Sequence, residues 1–274
     1  MRRPSLPGFI ALILLGLLLT TAGCISGSPK APAPYSADPA AVSLQETLVV
    51  GIDSDYPPFS YLNSSGSPTG FDVDSMQWIA QKKGLKVKFQ PTAWDSIIIS
   101  LLTGKIDLVY SGMSITPERA GMINFSTPYW EVNQDVVARN DSALTLKDVT
   151  SGTAIIGTQS GSTAAVWVDT NLVSTGRMSP DRLVLYNNTP LALDDLAAGR
   201  VDAVMYDDYI LKTMIGEKPL KTLGTIGTKE GYGIAVRKSD PELLATLNDG
   251  LTQLKADPYW QELIIRYKMK QNSP

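Results

Sequence analysis

Arg119 stands where a helix start does not want it. In the segment 111–119 (SGMSITPER), Thr116 can cap a helix and Pro117 suits its first position, so Arg119 falls in the first turn. A cation there faces the positive end of the helix dipole, where Asp or Glu would stabilise. A residue that breaks a local rule is a candidate for function, and this guanidinium is placed to grip an anion that arrives from outside. Asp207 is its counterpart in sign. It follows the apolar run 201–206 (VDAVMY), where a carboxylate has no structural reason to be. With no His, and its only Cys at position 24, the chain offers no His-based triad, no Cys nucleophile in its body and no His-containing metal site.

The elements that must position these two residues repeat. Segment 94–119 reads as an apolar helix (Ile97, Ile98, Leu101, Leu102), a Gly-Lys turn, a buried strand over 106–110, a small-residue turn and a new helix start at Thr116. Segment 198–208 (AGRVDAVMYDD) follows another apolar helix and matches 103–112 (TGKIDLVYSG) at a constant offset. Gly104 pairs with Gly199, Lys105 with Arg200, Asp107 with Asp202 and Gly112 with Asp207. An earlier pair, 48–55 (LVVGIDSD) and 154–161 (AIIGTQSG), shows an aliphatic strand running into a polar turn in both copies. Two α/β lobes of similar build are expected, each offering strand ends to a shared cleft, since ligands of parallel sheets sit beyond the carboxyl ends of strands.

The chain has 274 residues and a formal net charge of −3, with no basic run, which argues against a nucleic-acid partner. Residues 1–23 hold a basic start (Arg2, Arg3) and an apolar stretch over 9–19, too short to span a bilayer. Small residues then lead to Cys24 in TAGC. This resembles a bacterial or archaeal lipoprotein signal, cleaved before Cys24 with lipid on its sulfur, although Thr21 replaces the usual Leu. Lipid-anchored, simply secreted or held by a retained anchor, the chain is expected outside the cytoplasm. Residues 24–45, rich in Pro, Ala and Ser, read as a flexible tether. A lone Cys permits no internal disulfide, so the fold rests on its core, for which the remaining chain is long enough.

In order, the pattern predicts a strand over 47–52 that delivers Asp53 and a loop with Tyr56, then a hairpin-like turn over 63–70. A helix over 72–83 and a strand over 86–90 lead to Trp94. A strand over 135–139 crosses to the second lobe, which holds the Gly161 turn, a strand over 182–186 and a helix over 190–198. A strand over 233–236 returns to the first lobe. Helices opening at Asp240-Pro241 and Asp257-Pro258 close it, with Leu and Trp260 stripes at core spacing.

Taken together, GIDSDYPPFSY, GFDVD, WDSIIISLLTGKIDLVYSGMSITPER, INFSTPYW, GTQSGST, AGRVDAVMYDD and DPYWQELIIRYK resemble solute-binding protein family 3 over nearly all of 46–270. These are the polar-amino-acid receptors of ABC importers. The resemblance implies a type II periplasmic-binding-protein fold: lobe 1 from 46–134 plus 234–274, lobe 2 from 135–233, each a mixed, mostly parallel sheet flanked by helices, joined by two crossover strands. It implies a free amino acid as ligand, a membrane permease as partner, a monomer, no cofactor and no metal.

A free amino acid carries a carboxylate and an ammonium on one carbon, and burying either alone costs several kcal/mol. The resemblance places Arg119, Ser114 and Thr163 at carboxylate-contacting positions, with backbone N–H groups of the Gly161-Ser162-Thr163 turn adding donors. It places Asp207 on the α-ammonium, helped by the Ser114 hydroxyl and the Gly112 carbonyl. Asp208 is the alternative acid, and Asp207 as a plain helix cap is another. Ser111 and Gly112 serve by being small. Asp53, Tyr56, Trp94 and Gln159 match side-chain-facing positions. Tyr56 and Trp94 could sandwich an alkyl chain or a guanidinium, and with no Lys or Arg among these four the ligand is expected to be basic, or else glutamine-like. Two other classes compete. One is an enzyme on the same fold, such as a cyclohexadienyl or arogenate dehydratase, with Asp207 and Asp208 as acid and base. The other is the sensing module of a signalling system, which usually runs on into a membrane span.

Overall fold

A computed structural model of the chain describes residues 47–269; the signal reading, the Cys24 lipidation and the tether lie outside them. The first half of the chain runs β1 (Leu48–Ile52), β2 (Asp55–Tyr56), β3 (Ser60–Leu62), β4 (Pro68–Thr69), α1 (Phe71–Lys83), β5 (Val87–Pro91), α2 (Ile97–Leu102), β6 (Leu108–Val109), α3 (Pro117–Met122), β7 (Asn124–Phe125) and β8 (Trp130–Arg139). It continues through α4 (Leu146–Thr150), β9 (Ile156–Gln159), α5 (Thr163–Val168), β10 (Leu183–Tyr186), α6 (Thr189–Ala197), β11 (Ala203–Asp207), α7 (Asp208–Ile215), β12 (Leu220–Tyr232), β13 (Ala235–Val236), α8 (Pro241–Ala256) and α9 (Pro258–Arg266).

The strands form two five-stranded sheets, ordered β5-β1-β6-β13-β7 and β10-β9-β11-β8-β12, plus a small ribbon β2-β3-β4. Within each large sheet the repeat-bearing strands are parallel (β5, β1, β6 and β10, β9, β11). The edges are antiparallel. The fold is therefore a two-lobe α/β architecture, and the internal repeat has a physical cause. The Asp107 carboxylate accepts the Val49 N–H at 2.9 Å while its own N–H bonds the Val49 carbonyl at 2.8 Å. Asp202 does the same for Ile155, at 2.8 and 2.9 Å. Each Asp thus locks a strand start to its neighbour. Gly104 and Gly199 end the preceding helices at φ +73° and +75°, a conformation that side chains resist.

Two expectations need correction. The strand expected over 135–139 begins five residues earlier, at Trp130. The thirteen-residue β12 was not foreseen, because Gly224, Gly227 and polar residues break its pattern. β12 pairs antiparallel with β8 along nearly its whole length, down to Tyr232 opposite Trp130. Just beyond, the chain meets the loop before α3: the Ile115 N–H bonds the Gly231 carbonyl at 2.8 Å and the Gly233 N–H the Met113 carbonyl at 3.0 Å. The far end of one sheet is so stitched to the Arg119 loop of the other. Phe59, Phe71 and Trp130 stack edge-to-face or tilted at 5.7–6.3 Å between centroids, as packing aromatics do. Leu247, Leu251, Leu254, Trp260 and Leu263 are buried, each such burial being worth about 2 kcal/mol.

Candidate functional site

The cap predicted for α3 is present. Thr116 accepts the Arg119 N–H at 3.2 Å with Pro117 in the first turn. This fixes Arg119 pointing back over the loop, where its side chain is 8% exposed. Nη1 donates to the Ser114 carbonyl and Nη2 to the Gly161 carbonyl, each at 3.0 Å, and the guanidinium lies 5.5 Å over the Trp94 ring. Among the described residues no carboxylate lies within 4.0 Å of it. Burial pushes its pKa down, while the charges of Asp207 and Glu230 pull it back up. A buried cation held by two carbonyls keeps unspent capacity for an anion.

Asp207 is the last residue of β11 and is 6% exposed. It makes no side-chain cap to α7, so the plain-cap alternative does not describe it. Its Oδ1 accepts from Gln134 Nε2 at 2.5 Å, and its Oδ2 from the hydroxyls of Tyr232, at 2.7 Å, and Tyr56. Burial and then the Glu230 charge raise its pKa to about 6, against the lowering effect of those donors. Asp208 is engaged elsewhere: it accepts the Tyr209 N–H at 2.8 Å and pairs with Lys212 at 3.3 Å. The two neighbouring acids are thus separated by geometry.

Asp53 does two things. Its Oδ1 accepts the Asp55 N–H at 2.9 Å, a turn-forming role, and its Oδ2 accepts Gln159 Nε2 at 2.8 Å from the other sheet. Gln159 is held in turn by the Tyr206 hydroxyl. Tyr56 and Trp94 lie nearly parallel, 9° apart with centroids separated by 6.4 Å. The Ser111 hydroxyl is spent inside lobe 1, accepting the Asp53 N–H at 2.9 Å and donating to Ser60 Oγ at 2.7 Å, whose own proton goes to the Asp53 carbonyl. Gly112 has φ +55°, and a Cβ there would fall 2.3 Å from the Tyr56 ring. Its smallness therefore admits Tyr56, and its N–H is taken by buried Asp72 at 2.7 Å. Ser162 caps α5 through Ala165 N–H at 3.1 Å and donates to the Gln159 carbonyl at 2.7 Å, so its hydroxyl is structural. Thr163 and Trp94 reach the cleft rim, with Trp94 Nε1 donating to the Gly161 carbonyl at 3.3 Å.

Four residues were missed: Gln134, Tyr206, Glu230 and Tyr232. Gln134 is fully buried in β8, and its Nε2 donates to Asp207 and, at 2.9 Å, to Glu230. Glu230 also accepts the Ser114 hydroxyl at 2.7 Å. No sequence signal marks Gln134: it sits in the polar stretch Asn133-Gln134-Asp135 of β8, where an amide is ordinary. A cavity of about 540 Å³ is walled by Trp94, Ile98, Arg119, Met122, Thr163 and Val166. Arg119 is in its wall, whereas Asp53, Tyr56 and Asp207 are not.

Comparison with known proteins is consistent with this geometry. The family model described as bacterial extracellular solute-binding proteins, family 3, matches residues 48–270. The chain is 30% identical over 267 residues to the "Probable histidine-binding protein" of Neisseria gonorrhoeae, covering 96% of each. It is 32% identical over 230 residues to the ABC transporter arginine-binding protein 1 of Escherichia coli (strain K12), covering 81% of this chain and 90% of that one. Among solved structures, an ancestral arginine-binding protein bound to arginine superposes with a TM-score of 0.74 at 35% identity, over 81% of this chain and 97% of the other. The chain belongs to the bacterial extracellular solute-binding proteins, family 3.

Proposed function

We propose that this protein is the extracytoplasmic receptor of an ABC importer, which closes its two lobes on a free L-amino acid, with arginine-like ligands preferred. One observation carries the reading. A buried guanidinium with no carboxylate partner among the described residues and a buried carboxylate lie in reach of each other's charge, on elements of two different lobes. A zwitterion satisfies both. Its carboxylate takes the free N–H groups of Arg119, with Thr163 at the rim. Its ammonium takes Asp207, displacing the Tyr56 hydroxyl. Asp53, Asp207 and Glu230 set three carboxylates against one guanidinium, which favours a ligand with a second positive charge. The Tyr56–Trp94 pair, nearly parallel with centroids 6.4 Å apart, offers two aromatic faces suited to a planar cation.

The lobes are taken as 46–134 plus 234–274 and 135–233, hinged where β8 and β12 run side by side. Ligand meets Arg119, Ser114, Asp53 and Tyr56 first. Closure adds Asp207, the Asp53–Gln159 bond and the Asp55–Asn188 bond of 3.1 Å. A greater affinity for the closed state drives the change. Lipid on Cys24, a membrane permease partner and a monomeric state complete the proposal. No turnover is expected, so incubation with prephenate or arogenate should yield no product. The test is a thermal-shift screen of the twenty amino acids. Arginine should raise the unfolding temperature most, with lysine, histidine and glutamine behind it. If none of the twenty shifts it, the reading is wrong.

A further inference from the structure

We propose that Glu230 is a positioning residue for the cation end of the cleft: by taking the Ser114 hydroxyl proton and one N–H of Gln134, it turns both side chains into acceptors for a ligand ammonium. This rests on the amino-acid reading above and deepens it. A serine hydroxyl has a single proton. Here it is donated to Glu230 Oε2 at 2.7 Å, so Ser114 Oγ has only lone pairs left to offer. It can accept from an ammonium but cannot donate to a carboxylate. The carboxylate grip then falls to Arg119, whose Nη1 is anchored by the carbonyl of the same Ser114 at 3.0 Å. One residue thereby separates the two ends of the ligand.

Gln134 is constrained in the same way. Its Nε2 lies 2.5 Å from Asp207 Oδ1 and 2.9 Å from Glu230 Oε1, with Thr163 Oγ1 farther off at 3.4 Å, so its two shortest bonds go to carboxylates. Two carboxylates on one amide nitrogen fix the orientation of the amide, because its oxygen facing either would be repelled. Its Oε1 is left buried without a partner among the described residues, in a side chain that is fully buried. That oxygen is a further acceptor on the same amide that holds Asp207. Glu230 reaches this place because β12 carries it two residues from Tyr232, on the same face, and Tyr232 also donates to Asp207.

The groups facing Asp207 are Tyr56 from β2, Gln134 from β8, Glu230 and Tyr232 from β12, Arg119 from α3 and its neighbour Tyr206. Burial and then Glu230 raise the Asp207 pKa to about 6, so ammonium binding should weaken as pH falls through that value. Glu230→Gln keeps the shape, removes the neighbouring charge and sets an amide N–H against Gln134. It should lower L-arginine affinity about tenfold at about pH 8 and move the acid limb of binding to lower pH. A residue that only braced the fold would weaken binding without moving the limb. The experiment is calorimetric titration with L-arginine from about pH 5 to 8, on wild type, Glu230→Gln and Glu230→Asp. The Asp variant keeps the charge but cannot reach both Ser114 and Gln134, so its affinity falls while its limb stays. An unmoved limb or wild-type affinity in Glu230→Gln overturns the assignment. If that variant does not fold, wild-type affinity in Glu230→Asp overturns it. A wild type that binds no amino acid at any pH overturns instead the functional reading beneath it.

Discussion

Replacing Arg119 by methionine should separate ligand binding from folding. The guanidinium is 8% exposed, has no carboxylate within 4.0 Å among the described residues, and is held only by the Ser114 and Gly161 carbonyls. Taking such an ion out of water costs several kcal/mol, while each charged hydrogen bond returns about 1.5–3 kcal/mol. The two nearly cancel. Methionine fills a similar volume, and Gly161 keeps the Trp94 N–H at 3.3 Å, so one carbonyl is not orphaned. The unfolding free energy should therefore change by less than about 2 kcal/mol in a urea titration. Binding should respond very differently. Truncating one partner of a buried charge pair costs about 2–5 kcal/mol, so L-arginine affinity in calorimetry should fall by a factor of about 30 or more. Arg119→Lys should lie between, since it keeps the charge but loses the fork. Arginine affinity within about threefold of wild type in Arg119→Met would refute the grip. Collapse of the fold would show instead that Arg119 is a brace.

Three further perturbations probe the surrounding residues. Gly112→Ala puts a Cβ 2.3 Å from Tyr56 Cε1 at φ +55°, and should cost at least about 2 kcal/mol of stability together with most arginine affinity, read by denaturant titration and calorimetry. Trp94→Ala should weaken arginine about tenfold and glutamine by less than about threefold, because only the planar cation loses a stacking face; equal losses for the two would contradict the sandwich. Asp72 is fully buried, and burial raises its pKa from 3.8 to about 7 despite bonds from Tyr129 and Gly112. The folded state thus holds a proton that the unfolded chain releases, so stability from this group is fully present below about pH 4 and is lost as pH rises to about 7. The loss amounts to about 4 kcal/mol. Asp72→Asn should flatten that slope and stabilise the protein above about pH 7, measured by denaturant titrations across pH; an unchanged slope would contradict it.

What the sequence reveals of the site depends on where the signal sits. Arg119 was found because it breaks the charge rule of a helix start, and Asp207 because it ends an apolar strand. The Asp107 and Asp202 repeat was visible because both carboxylates perform one backbone task. β12 was not legible, since its glycines and alternating polar residues resemble a loop, and its pairing with β8 is set by tertiary contact. Glu230 and Tyr232 were lost with it. Ser111 and Ser162 look alike as small site residues, yet their hydroxyls are bound to Asp53 N–H and Ala165 N–H. Only the partner of a hydroxyl tells its role, and partners come from the fold.

The central claim is that opposite charges on the two lobes hold the two ends of one molecule. The most direct measurement is a crystal structure of the protein grown with L-arginine. The ligand carboxylate should lie within about 3.2 Å of the Arg119 guanidinium and its α-ammonium within about 3.2 Å of an Asp207 oxygen. Arginine bound with its α-carbon groups away from both residues, or with the two ends exchanged, would contradict it.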